Sequence, residues 1–431
     1  MTNRVSAEGK VTMGVFTDID AKELKTEELT KLVSKAQAIA GDGYEVTSRN
    51  YEIFMKPMKK ILKLSKQEKE WYLYFDTIYY ILYLSCEHSK YDEVVKYAEL
   101  YYRESALYMD REIPNYPNKN MAYLNTWIYG YIFQAYYHYH QIDDAKMDAF
   151  MEKFEENALK YGKTYKYYAG VIELSVLYRD ADGAKAAARN FRRYEKDMFS
   201  CYVCGHRPYL SHLLLADEIR QAEEMMLDFI NKNIPQQHLW CYKYCLAAEP
   251  VAMYRYVLHV CIECGNEGAF RYFFAKYWKK LPYESQWESD AYTFRRLLCA
   301  LSGVFRKLKD DIQEAEKNIK EENHYATVDN IELALDWWCY FTLLDRSGVR
   351  EVKIKLPGLN TPDVKTEEDV QAADGEESTK GTENAGKVPT LAVASYMEKR
   401  ADEFGALFSK ARARFDYEGL KGTYRNCFLA K

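Results

Sequence analysis

Two short-spaced cysteine pairs, Cys201-x2-Cys204 and Cys241-x3-Cys245, are separated by thirty-six residues that read as one helical hairpin. A hairpin that folds two thiolate pairs together can complete a tetrahedral sulfur site for one zinc ion, closed to substrate and therefore structural. His206 and His238 flank the pairs, and either imidazole can replace a thiolate. The same cysteines also suit an apolar helix face, since free cysteine is among the most buried residue types. Both readings stay open on sequence grounds. Cys261-x2-Cys264 ends an aromatic segment just before Gly265-Asn266, which fits small core residues at a helix C-terminus. A redox role for either motif would need a strand, a turn and a thiol at a helix N-terminus, and no alternating strand precedes them.

Other polar groups give weaker patterns. His138 and His140 sit two apart, which on a helix turns them to different faces and prevents shared ligation. Arg192-Arg193 and Lys279-Lys280, beside Tyr194 and Tyr277, can meet a carboxylate terminus or an acidic peptide, or simply face solvent. Glycine-rich phosphate loops, metalloprotease helix motifs and nucleophile elbows are missing from the sequence. The net charge of −5 withholds the basic footprint of a nucleic-acid binder. The first twenty residues lack the apolar core of a signal peptide, and the strongest apolar run, Thr77 to Cys86, is too short to cross a bilayer. A cytoplasmic protein with reduced thiols and no membrane association is expected.

The elements that must position these groups are helices. Among 431 residues there are 20 Gly and 10 Pro but 40 Tyr, so breakers are scarce and aromatic side chains abundant. Trp71, Phe75, Ile78 and Leu82 mark one helical stripe, and polar turns followed by a small residue recur at Val94, Ala145, Ala184, Ala222 and Ala269. Their separations of 51, 39, 38 and 47 residues give an irregular repeat in the range of helical hairpins. A small residue there lets the rings of one helix pack against the backbone of the next, while tyrosine fills the groove and keeps its hydroxyl at the rim. The organisation expected is a flexible tail over 1–20, a helical array over 21–348, an extended segment and disordered acidic linker over 349–390, and a C-terminal helix and tail over 391–431. Within it, 361–390 has no aromatic residue and carries a charge equal to that of the whole chain. Val352, Ile354 and Leu356 alternate with lysines as a short strand would, and Met397, Ala401, Phe404, Phe408, Ala411 and Phe415 form one buried helical stripe.

The turn segments, as in Tyr91-Asp92-Glu93-Val94 and Ile142-Asp143-Asp144-Ala145, resemble the tetratricopeptide repeat, although the period is longer than its 34 residues. The resemblance implies an all-α, right-handed solenoid of antiparallel helical hairpins. In the C-terminal half, the paired cysteines, Ile354-Lys355-Leu356-Pro357, and Phe415-Asp416 followed by Gly419 and Gly422 look like bacterial helical-repeat proteins with a paired-cysteine hairpin. Val251 and Ala252 stand where that pattern has a histidine after the proline. This second resemblance implies a metal-stapled scaffold and brings no reaction with it. The function expected is a non-catalytic scaffold that binds a protein or peptide through tyrosine anchors, with Arg and Lys giving orientation. The alternatives are a peptide-sensing regulator and a metal- or thiol-dependent enzyme at Cys201/Cys204.

Overall fold

The computed structural model describes residues 24–40, 46, 50–107, 121–161, 164–195, 198, 201–245, 247, 249–281, 292–321, 326–357, 359 and 387–430. The expected tail over 1–20, and positions 361–386 of the expected acidic linker, lie outside them. Among the described residues the fold is all-α: eighteen helices and one two-stranded sheet, consistent with a helical repeat.

Helix-to-helix turns of one local design recur along the chain. α2 (Tyr51–Gln67) meets α3 (Trp71–Glu87) through Lys69, and α3 meets α4 (Tyr91–Ser105) through Ser89. α7 (Thr164–Leu177) meets α8 (Ala181–Tyr194) through Arg179, α9 (Tyr202–Leu215) meets α10 (Ile219–Ile230) through Asp217, and α12 (Pro250–Glu263) meets α13 (Glu267–Tyr277) through Gly265. Each of these five residues has φ between 53° and 71°. In every case the next residue donates its N–H five positions back along the turn: Glu70 to Ser65 O, Lys90 to Ser85 O, Asp180 to Ser175 O, Glu218 to Leu213 O and Asn266 to Cys261 O. This is the Schellman closure, which satisfies carbonyls left open by the first helix. The same donor residue then caps the second helix, so a single left-handed residue reverses the chain. Asp180 and Asn266 complete their caps by accepting from Gly183 N and Ala269 N, each at 2.9 Å. Val94, Ala184, Ala222 and Ala269 are wholly buried just inside these second helices, as the small-residue pattern predicts.

The fifth predicted turn differs. Between α5 (Met121–His138) and α6 (Asp144–Tyr161), Ile142 N donates to Tyr139 O, and Tyr139 pairs with Thr327 as an isolated bridge. Ala145 is exposed there and Met147 is buried instead. The reason is the cap: Asp143 accepts from Lys146 N at 2.8 Å, which places the inward position at Met147.

The chain divides into two compact units, 1–138 with 147–167, and 139–146 with 168–431. In the first, α1 (Glu27–Ala40) packs on α2, and α3 packs on α2, α4 and α5. Its core is aromatic: Phe75 meets Tyr101 edge-on at 6.5 Å, and Tyr129 stacks on Phe150 at 5.9 Å. In the second unit α9 packs on α8, α10 and α12, and α16 (Val328–Arg346) packs on α14 (Tyr292–Leu301) and α17 (Thr390–Ala411). β1 (Glu351–Lys353) pairs antiparallel with β2 (Lys387–Pro389), Val352 opposite Val388, both buried. Thr390 begins α17 and donates its hydroxyl to Val349 O at 2.7 Å. α18 (Tyr417–Tyr424) closes the unit, with Asp416 capping it through Gly419 N at 2.8 Å.

Candidate functional site

Three of the four predicted metal-ligating cysteines converge. Cys201 is the N-cap of α9, and its carbonyl accepts from Gly205 N at 2.8 Å, which places Cys204 in the first helical turn. Cys245 follows α11 (Cys241–Tyr244), a single turn closed by Cys245 N to Cys241 O at 2.7 Å, and leaves it in extended conformation. Cys204 Sγ and Cys245 Sγ are 3.2 Å apart, and the three sulfurs lie within 4.8 Å of one another. Cys204 is exposed and the other two are half-buried. The packed thiols share their protons: bonds from Cys204 and Cys245 push the Cys201 thiol far up. The Cys204 thiol, lowered by Cys201 but raised more by Cys245 and burial, is pushed up to about 11. A soft dication would replace those protons and remove the repulsion between thiolates.

The remaining predicted ligands stand elsewhere. Cys241 is fully buried, outside the trio, and its sulfur accepts from Tyr202 N at 3.1 Å. The one-turn α11 turns its first and last-plus-one cysteines to different partners. His206 and His238 both pack on the Tyr202 ring, with centroids at 4.0 and 5.0 Å, and neither belongs to the sulfur cluster. His206 Nδ1 bonds Tyr202 O at 2.8 Å, and burial lowers its affinity for a proton. The arrangement therefore offers three sulfur donors, with Cys204 exposed to solvent. Cys261 and Cys264 are buried at the end of α12, where Cys261 O accepts the Schellman bond.

A second group, which sequence reasoning missed, gathers arginines from three helices. Arg207 on α9 lies over the Tyr256 ring of α12 at 4.4 Å and donates to Ala247 O at 3.4 Å. Tyr256 OH is 2.7 Å from Ser211 Oγ, one turn beyond Arg207. Arg255 on α12 holds its proton less tightly than an ordinary arginine, at about 10, because of burial and then the charges of Arg207 and of Arg295 on α14. Arg295 is 2% exposed. A guanidinium over an aromatic ring, as Arg207 is over Tyr256, is a chemical match for carboxylate. The signal available in the sequence was Arg255-Tyr256 and Arg295-Arg296 at inward helical positions, but nothing in spacing alone brings 207, 255 and 295 together. The predicted basic pairs have local partners: Arg192 meets Glu195 at 3.2 Å, and Lys280 lies 5.2 Å over the Tyr277 ring. Among the described residues no helix is long and apolar enough to cross a membrane. No protein-family model, curated protein or solved structure matches the chain.

Proposed function

We propose that this protein is a non-catalytic scaffold, a right-handed, tetratricopeptide-like solenoid of antiparallel hairpins that works in the cytoplasm and binds an acidic peptide or a protein's carboxylate terminus. The observation that carries this reading is that Arg207 on α9 lies over the Tyr256 ring of α12, while Arg207 and Arg295 on α14 both act on the charge of Arg255. Basic side chains orient a ligand's carboxylate, and an aromatic ring beside them supplies apolar area for the ligand's chain. The same Schellman closure recurs at five helix-to-helix turns, which fits a chain built from repeated helical hairpins, and repeat proteins build long binding surfaces from such units. In this reading Cys201, Cys204 and Cys245 hold one structural zinc that fastens the start of α9 to the chain after α11.

The test is retention of the full chain on immobilised acidic peptides with free or amidated C-termini. Binding should weaken with salt and fall at least about tenfold in Arg207→Ala/Arg255→Ala, the equivalent of one charge-assisted hydrogen bond. Failure of every acidic peptide to bind, or binding unchanged by the double substitution, refutes the assignment.

A further inference from the structure

The second unit contains a polar centre that belongs to neither the cysteine trio nor the arginine group. On α12, His259 and Glu263 are one turn apart, and on the facing α16, Glu332 and Asp336 are one turn apart. His259 Nε2 is 3.4 Å from Glu332 Oε2, and its Nδ1 is 3.7 Å from Glu263 Oε2. One ligand atom from each of the three lies within 4.8 Å of the others. Phe294 meets the imidazole edge-on at 5.0 Å and holds the ring in its plane. Beside the two glutamates is a cavity of about 10 Å3, also bounded by Arg179, Val328 and Leu420, roughly the room of one water or ion.

We infer that His259, Glu263 and Glu332 form a binding site for a divalent metal ion of the manganese or zinc class, with Asp336 as its outer carboxylate. Asp336 is 5% exposed, has the Tyr424 hydroxyl as a hydrogen-bonding neighbour, and interacts electrostatically with His259 and Glu332. A buried carboxyl group beside a ligand set can act as an outer partner that orients a ligand or a water on a bound cation. Two glutamates flank one imidazole, which can balance only one of them. Arg179, the cation that bounds this cavity, does not serve the cluster. Arg179 spends its donors on Glu263 O at 3.0 Å, Ile262 O at 3.4 Å and Thr423 Oγ1 at 3.2 Å, and its remaining charge faces Asp416 at 3.9 Å. Mixed imidazole and carboxylate donors suit Mn2+ or Zn2+, whereas the all-sulfur trio selects zinc or another soft ion. Three protein ligands leave coordination positions for water. The side chains of His259 and Glu263 keep 29% and 21% exposure, so the ion has a path from solvent. A competing arrangement is a protonated His259 held between two glutamates as a purely structural ion pair.

These are separated with the full-length Cys204→Ser/Cys245→Ser protein, which removes the thiolate site, titrated calorimetrically with MnCl2 and ZnCl2. One equivalent should bind. His259→Ala and Glu332→Gln should abolish binding, and Asp336→Asn should weaken it by about tenfold to a hundredfold, as expected of an outer partner. Crystals of the unsubstituted protein soaked in millimolar MnCl2 provide a readout independent of whether the variants fold. Anomalous density between α12 and α16 supports the site. No density there, no saturable binding, or binding indifferent to His259→Ala and Glu332→Gln overturns it and leaves the ion pair.

Discussion

Replacing Gly405 and, separately, Gly422 by alanine makes the same chemical change on two helices that pack together, and the structure assigns the two variants opposite signs. Gly405 lies inside α17, where an added Cβ would come within 2.6 Å of three carbons of the Tyr417 ring. Gly422 lies inside α18, where a Cβ would meet nothing within 4 Å. Both variants gain the helix preference of alanine over glycine, about 1 kcal/mol. Gly422→Ala keeps that gain. Gly405→Ala must displace a ring that has little freedom: Tyr417 is buried, its hydroxyl donates to Asp402 Oδ1 at 2.7 Å, and it follows directly on the Asp416 cap. Overpacking of this kind costs about 1–3 kcal/mol, so Gly405→Ala should be destabilising by up to about 2 kcal/mol. Because the propensity gain cancels between the variants, their difference measures the clash itself. Native-state hydrogen exchange of the α17 and α18 amides is the suitable assay, since a chain with two units need not melt in one step. Exchange should slow about fivefold in Gly422→Ala and quicken in Gly405→Ala, where about 1.4 kcal/mol is a factor of ten. Tyr417→Leu should restore Gly405→Ala, giving a positive coupling in a double-mutant cycle. Equal shifts in the two glycine variants, or no rescue, would refute the packing argument.

Further outcomes follow from other parts of the fold. Ala184→Leu, at a wholly buried position behind a Schellman turn, should lose about 1–3 kcal/mol in denaturant unfolding, while Ala145→Leu, exposed in the divergent turn, should change stability by less than about 0.5 kcal/mol. Glu223 on α10 accepts from Tyr277 at 2.5 Å and Tyr272 at 2.8 Å and pairs with Lys276 at 2.7 Å. Burial alone would raise its carboxyl, but these partners outweigh burial and hold it below the usual range. The stability it contributes is therefore present above the unfolded value of about 4.3 and lost as pH falls through the folded one. Glu223→Gln should cost about 1–3 kcal/mol at pH 7, and the gap to the unsubstituted protein should narrow below about pH 4 in acid titrations followed by circular dichroism. Protein purified with zinc should carry an equivalent bound by sulfur. Cys204→Ser should remove it and Cys241→Ser should not, by metal analysis; equal loss in both would return Cys241 to the ligand set.

What the sequence alone determined is local. The scarcity of Gly and Pro and the four-three stripes specify helices, because a helix closes its hydrogen bonds within four residues. The turns are legible for the same reason: cap residue, small inward residue and polar link all fall within one short segment, as at Asp180, Gly183 and Ala184. Even so, four of the five left-handed turn positions are not glycine, so that part of the signal was hidden until the backbone was seen. Pairing of Val352 with Val388 was beyond reach, since a three-residue strand has too few side chains to announce its partner. Tertiary structure alone decided which cysteines meet. A spacing of three in Cys241-x3-Cys245 permits convergence, but a helix of a single turn followed by extended chain sends Cys245 to the trio and Cys241 to Tyr202 N. The His259, Glu263 and Glu332 centre and the Arg207, Arg255 and Arg295 group are further still from the sequence, because each depends on where separate helices pack side by side. Helical periodicity fixes which face a residue occupies; the packing of one helix on another fixes what that face meets.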